Sequence, residues 1–164
     1  QISLKNLNWQ RTSHPEKHKA NLDELAIQAL LTSSVLRNLD RFDEAKTTLQ
    51  DCILKHDAYV SCLPSHFYCL SHYITNIMPF RAKFKGHLRD DWTNPSAHYE
   101  MAVLAWFEKD LPGADAKAKV AECEEWLHKV SKWETYVLDT RIGLKITTAV
   151  ETIKMYTQNH EIRS

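Results

Sequence analysis

Cys62, His66, Cys69 and His72 bring two thiols and two imidazoles within eleven positions, the ligand types that zinc accepts. On a helix starting at Ser65 they fall within roughly 120° of arc, on the flank away from Phe67, Leu70, Ile74 and Ile77. Structural zinc is usually held across a turn or between two elements, and four ligands from one short segment rarely close a tetrahedron. The expectation is therefore no metal, with half-buried thiols and surface histidines in its place. A second cluster, Arg81, Lys83, Lys85, His87 and Arg89, is interleaved with Phe80, Phe84 and Leu88 and followed at once by Asp90 and Asp91. Basic side chains among apolar ones suit an anionic membrane surface or a single-stranded nucleic acid. The competing reading is a connector whose aromatics tuck into a helical bundle while its charges stay in water. Arg81, Lys83, Lys85 and Arg89 are the residues that a membrane or anion would meet.

Trp92, Trp106, Trp126 and Trp133 would furnish a ligand pocket, since aromatics dominate small-molecule sites, but their positions on apolar helices assign most of them to the core. Glu100 beside His98 resembles an acid–base pair, yet catalysis needs a cleft and a third group, and no nucleophile or metal motif accompanies them. Glu100 is read instead as a structural carboxylate facing Arg141 or Lys145. No catalytic residue, no cofactor-binding residue and no cofactor is expected.

The elements that would position these residues are helices. Glycine and proline are scarce, 3 and 5 in 164 residues, and apolar residues recur at helical rather than alternating spacing. A chain of this length fits one domain and buries roughly two-thirds of its unfolded surface. Its 21 basic and 21 acidic side chains cancel, which removes the bulk field that would gather nucleic acid, so no nucleic acid partner is expected. Cys52, Cys62, Cys69 and Cys123 form no paired framework and read as reduced and intracellular. No signal peptide is visible, and no apolar run approaches the roughly 20 residues of a membrane span. Because the first residue is Gln1, a fragment of a longer protein is expected.

Residues 1 to 20 carry Ile2, Leu4, Leu7 and Trp9, the tail of a helix followed by a linker. Asn21 then caps a helix with Leu22, Leu25, Ala26, Ala29, Ser33 and Leu36 on one face and Ile27, Leu31 and Val35 on another. After the turn Asn38-Leu39-Asp40, with Asp40 as the next cap, Phe42, Ala45, Leu49, Cys52 and Ile53 form a stripe that completes a helical hairpin over 22–57. An intervening helix over 65–79 ends at Pro79, and a charged connector follows. Asn94 and Pro95 supply the cap and first residue of a helix that is apolar almost all round, leaving little beyond His98, Glu100, Glu108 and Lys109 polar. It must be covered on two sides. Leu111-Pro112-Gly113 breaks it, and a helix from about Asp115 with Ala116, Val120, Cys123, Leu127 and Val130 completes a second hairpin over 95–131. A terminal helix over 134–158 presents Leu138, Ile142, Ile146, Ala149, Ile153 and Tyr156 on one side.

Ser33 and Ala45 are small where two helices must approach, and Leu36, Phe42 and Leu49 are large where the hollow between them must be filled. This hairpin is similar to a tetratricopeptide repeat, and the second is a degenerate version with Ala102 as its small residue. An irregular bundle with the same periodicities is the alternative. The repeat pattern usually has glycine where Asp40 stands and a larger apolar residue where Thr32 stands. The fold class expected is all-α: antiparallel hairpins of this type stacked into a short right-handed solenoid, with a long C-terminal packing helix.

Leu36-Arg37-Asn38-Leu39, Asp90-Asp91-Trp92, Pro95-Ser96-Ala97-His98-Tyr99-Glu100-Met101-Ala102, Lys132-Trp133-Glu134 and Leu138-Asp139-Thr140-Arg141-Ile142-Gly143-Leu144-Lys145 occur in that order. Over roughly 22–158 they resemble the C-terminal part of the inclusion body clearance and tetratricopeptide repeat protein 39 family, in its fungal form. The resemblance implies a non-enzymatic helical-repeat scaffold of cytoplasm and nucleus that binds protein partners. It also implies a link to lipid droplets and clearance of protein inclusions, and an association with the mitochondrial outer membrane. The alternative is a peripheral membrane or lipid-droplet module holding a lipid or sterol-like ligand. An enclosed greasy cavity would favour that module, and an open groove with polar walls the scaffold.

Overall fold

The computed structural model describes residues 4–16, 22–54, 92–131 and 139–161. They form α1 (Leu4–Ser13), α2 (Leu22–Arg37), α3 (Phe42–Cys52), α4 (Thr93–Glu108), α5 (Ala116–Ser131) and α6 (Asp139–Glu161), with no strand among the described residues. The expected all-α class is observed. The 65–79 helix, residues 80–91 of the expected 80–93 connector, Asn21 and residues 132–138 lie outside the described residues. The chain divides into two compact units, Gln1–Thr93 and Asn94–Ser164.

In the first unit α2 packs against both α1 and α3. The α2–α3 core consists of Ala26, Ala29, Ser33 and Leu36 against Phe42, Ala45, Leu49 and Ile53, all buried. Cys52 departs from the expected stripe and is exposed: at about 100° per residue it falls on the flank of the arc that Phe42, Ala45, Leu49 and Ile53 bury. Ser33 meets the need for a small residue, but its hydroxyl is buried with no hydrogen-bond partner among the described residues.

The turn explains an irregularity in the repeat pattern. Arg41 N–H donates to the Leu36 carbonyl (3.0 Å) and Asp40 N–H to the Arg37 carbonyl (3.1 Å), the paired bonds that close a helix through a left-handed residue. That residue is Asp40, at φ 58°. Glycine is favoured at such a position because it has no Cβ to clash, and aspartate is among the few other residues that tolerate it. Asp40 is therefore not the cap of α3, as the sequence suggested. Arg41 occupies the N-cap without a side-chain bond. Its guanidinium instead grips Glu44 in a two-pronged pair, 2.6 Å at each prong, which holds that carboxyl below its usual range.

In the second unit α4, α5 and α6 share a core of Ala102, Ala105, Cys123, Leu127 and Ile153, with Tyr99, Trp106, Val120, Trp126, Ile146 and Ala149 packed around it. Gly113 takes φ 82° in the α4–α5 turn, and Asp115 caps α5 by accepting from the backbone N–H groups of Lys117 (3.0 Å) and Ala118 (3.1 Å). The start of α4 differs from expectation. The helix begins at Thr93, so Asn94 and Pro95 lie inside its first turn, where backbone N–H groups lack helical partners in any case. The Asn94 side-chain oxygen caps nothing; it is buried without a partner among the described residues.

Candidate functional site

Helix α4 places its polar residues differently from the sequence reading. His98, Glu108 and Lys109, three of the four residues that leave this stretch any polarity, are buried. Each is accommodated by a different device. His98 Nδ1–H donates to the Asn94 carbonyl at 3.0 Å, and its ring meets Trp126 edge-on, with centroids 5.5 Å apart. Lys129 lies over the same indole, its Nζ 3.9 Å from the ring centroid. Burial holds the imidazole below its ordinary pKa against the Asn94 hydrogen bond, and the Lys129 charge adds to the depression.

Glu108 sits at the C-terminal end of α4, where a carboxylate opposes the helix dipole. Lys119 of α5 answers it at 2.7 Å and holds Glu122 at 2.7 Å with the same ammonium. Both carboxylates raise the Lys119 pKa, with their hydrogen bonds the larger cause. Lys109 Nζ lies 4.4 Å from the Trp106 ring centroid and 5.0 Å from that of Tyr156, and pairs with Asp110 at 2.5 Å. Trp106 and Tyr156 meet edge-to-face at 5.3 Å, so the lysine clasps the end of α4 to α6.

A groove of about 410 Å³, open to solvent, runs between α4 and α6 with α5 beneath. Its floor is Ala102, Cys123, Leu127 and Ile153; Tyr99, Val103 and Trp106 form one wall, and Leu144, Thr148, Ala149 and Thr152 the other. The Thr148 and Thr152 hydroxyls donate to the carbonyls of Leu144 (3.0 Å) and Thr148 (2.8 Å), so these two threonines spend their protons within α6. The charged lining residue is Lys145, with its Nζ 5.5 Å from the Tyr99 ring centroid. A second groove of about 450 Å³ lies between α5 and α6, and Leu127 and Ile153 line both.

Cys123 in the floor is a poor nucleophile, because burial and the charges of Glu124 and Glu122 push its thiol up to about 11. The groove has an open, apolar wall rather than the polar one expected of a scaffold or the enclosure expected of a lipid pocket. Lys145 Nζ lies over the Tyr99 ring, and Arg141 is exposed. The remaining candidates, Cys62, His66, Cys69, His72, Arg81, Lys83, Lys85 and Arg89, lie outside the described residues. Among the described residues no three acidic, histidine or cysteine side chains are grouped to hold a metal, and no helix is long and apolar enough to cross a membrane. The sequence reading missed the groove because its walls come from helices some 40 residues apart in the chain. The apolar all-round pattern of α4 was the available signal.

No family model matches the chain, and no solved structure does. Curated relatives do. The chain is 34% identical over 99% of its length to Inclusion body clearance protein iml2 of Aspergillus terreus, and covers 23% of that protein. It is 34% identical over 90% of its length to Inclusion body clearance protein IML2 of Pyricularia oryzae, covering 17%. The counterpart in Kluyveromyces lactis is 30% identical over 93% of the chain, which covers 18% of it. The chain thus spans about a fifth of the length of the curated relatives it matches.

Proposed function

The chain belongs to the inclusion body clearance protein family over the segment it spans, and from that premise we propose that it is a non-enzymatic protein-interaction module of helical-repeat type serving inclusion clearance. The observation that carries this reading is the open apolar groove between α4 and α6, an exposed concavity of the kind that receives a partner segment. Buried small residues at Ser33 and Ala45, and a left-handed turn residue where the repeat favours glycine, support tetratricopeptide-type hairpins. A lipid-bearing module would call for a more enclosed cavity, since such sites surround most of the ligand surface. The work of the module is recognition in the cytoplasm or at a lipid-droplet surface, through side chains held on rigid helices.

The test replaces the matching segment of the Aspergillus terreus relative with this chain and follows loss of a fluorescent misfolded reporter from inclusions. Thr148→Phe adds an aromatic ring to the groove wall at an exposed helix position. The chimera should clear inclusions and the Thr148→Phe chimera should not. Equal clearance by the two would remove the groove from the function.

A further inference from the structure

We propose that the α4–α6 groove receives an amphipathic α-helix of a protein partner, with an acidic side chain of that helix placed against Lys145. This inference rests on the interaction-module reading and names the chemistry of its partner. The length of the groove comes first. Its walls run from Tyr99 to Trp106 on α4 and from Leu144 to Thr152 on α6, about 10 to 12 Å at 1.5 Å per residue. Apolar side chains at i, i+4 and i+7 of a partner helix span about 10.5 Å, so three anchors fill the groove end to end.

The hydrogen-bonding character of the walls then selects a helix over an extended peptide. A strand laid in this groove would hold its backbone N–H and C=O groups against apolar side chains, while the Thr148 and Thr152 hydroxyls already donate within α6. Each backbone group left without a partner costs free energy comparable to a lost hydrogen bond. A helix satisfies its own backbone and presents only side chains.

Charge fixes the orientation. Lys145 is the one charged group among the described lining residues, and it lies over Tyr99, at the opposite end of the α4 wall from Trp106. Arg141, exposed, stands one turn earlier on α6. A carboxylate on the partner is attracted to that end, whereas at the Trp106 end the Lys109 ammonium is already paired with Asp110 and the indole takes an apolar anchor. Leu144, 70% exposed at the rim, adds apolar surface that a helix seated in the groove would cover.

The experiment is a selection of short helical peptides from a display library on the immobilised 164-residue chain, with counter-selection on Thr148→Phe. The expected result is a consensus with apolar residues at i, i+4 and i+7 and an aspartate or glutamate at one end. Lys145→Glu should weaken the selected peptides about three- to tenfold, and a peptide carrying lysine in place of its acid should regain the loss on that variant. Lys154→Glu, on the second groove, should leave binding unchanged. The proposal is overturned if no sequence is enriched, if enriched sequences lack the spacing or the acid, or if Lys145→Glu has no effect. Oleate bound by the chain and lost in Thr148→Phe, with no peptide enriched, would give the groove to a lipid and overturn it as well. The selection reads the groove alone. Peptides enriched as expected, with the Thr148→Phe chimera still clearing inclusions, would sink the clearance reading and leave the groove assignment standing.

Discussion

Replacing Asp40 tests the turn of the first hairpin most directly. A residue with a Cβ at φ 58° bears a steric cost of roughly 1–2 kcal/mol, of which aspartate recovers part by bonding locally. The Asp40 carboxylate also sits just past the C-terminus of α2, where the dipole disfavours negative charge by a few tenths of a kcal/mol. Against this, glycine gains conformational freedom in the unfolded chain, which returns about 0.5–1 kcal/mol. Asp40→Gly should therefore stabilise by about 0.5–1 kcal/mol, Asp40→Asn by less, and Asp40→Ala should destabilise by about 1 kcal/mol. Asp40→Val should be worse again, because a β-branched side chain is least tolerated at positive φ. The assay is urea unfolding followed by circular dichroism at 222 nm, with a shifted midpoint at constant slope as the readout. The decisive feature is the order Gly, Asn, Asp, Ala, Val. If Asp40→Ala matches the parent and Asp40→Gly lowers stability, the left-handed closure of α2 is wrong.

Three further outcomes can be checked by the same denaturation. Lys119→Met removes the ammonium paired with the Glu108 carboxylate, 8% exposed, and should cost about 1.5–3 kcal/mol, less than a fully buried pair because Lys119 itself is partly exposed. Adding Glu108→Gln should recover more than half of that loss, and strict additivity of the two variants would contradict the pairing. Ser33→Ala removes a buried hydroxyl without a partner among the described residues and should be neutral or stabilising by up to about 1 kcal/mol; a clear loss would mean that the hydroxyl is bonded. His98 has a folded pKa below its unfolded value, so it binds fewer protons folded than unfolded, and its contribution is complete above about pH 6.5 and lost as pH falls through the folded value. His98→Phe should flatten that acid-side slope, and an unchanged slope would place the titration elsewhere.

The helices were legible because their signals are local. Asp115, five apolar residues at helical spacing after it, and the Leu111-Pro112-Gly113 break define α5 without reference to anything distant. Ser33 and Ala45 announced the close approach of α2 and α3 for the same reason. The candidate site was less legible, since a sequence assigns a polar residue to solvent unless its partner is known. Glu108 becomes a buried group only once Lys119 folds back across the α4–α5 turn, and Lys109 only once Tyr156 arrives from α6. Asp40 shows the opposite error. Its type is right for a cap, but the backbone uses it one position earlier, to end α2 rather than to start α3.

The composition of α6 sets how the second unit comes apart. Gly143 and the threonines at 147, 148, 152 and 157 give it little intrinsic helicity, so the helix persists because it is docked. Its seam on α5 at Leu127 and Ile153 is flanked by a groove on each side, and the Lys109 clasp binds it near its far end. Under tension on its C-terminal end, the load would fall first on the Tyr156 contact and then on Ile153, Ala149 and Ile146. Helix α6 should peel away first, and hydrogen exchange should find its amides exchanging ahead of those of α4 and α5. A helix seated in the proposed groove would be released as the unit loosens, because the α6 wall proposed to hold it is the part that yields.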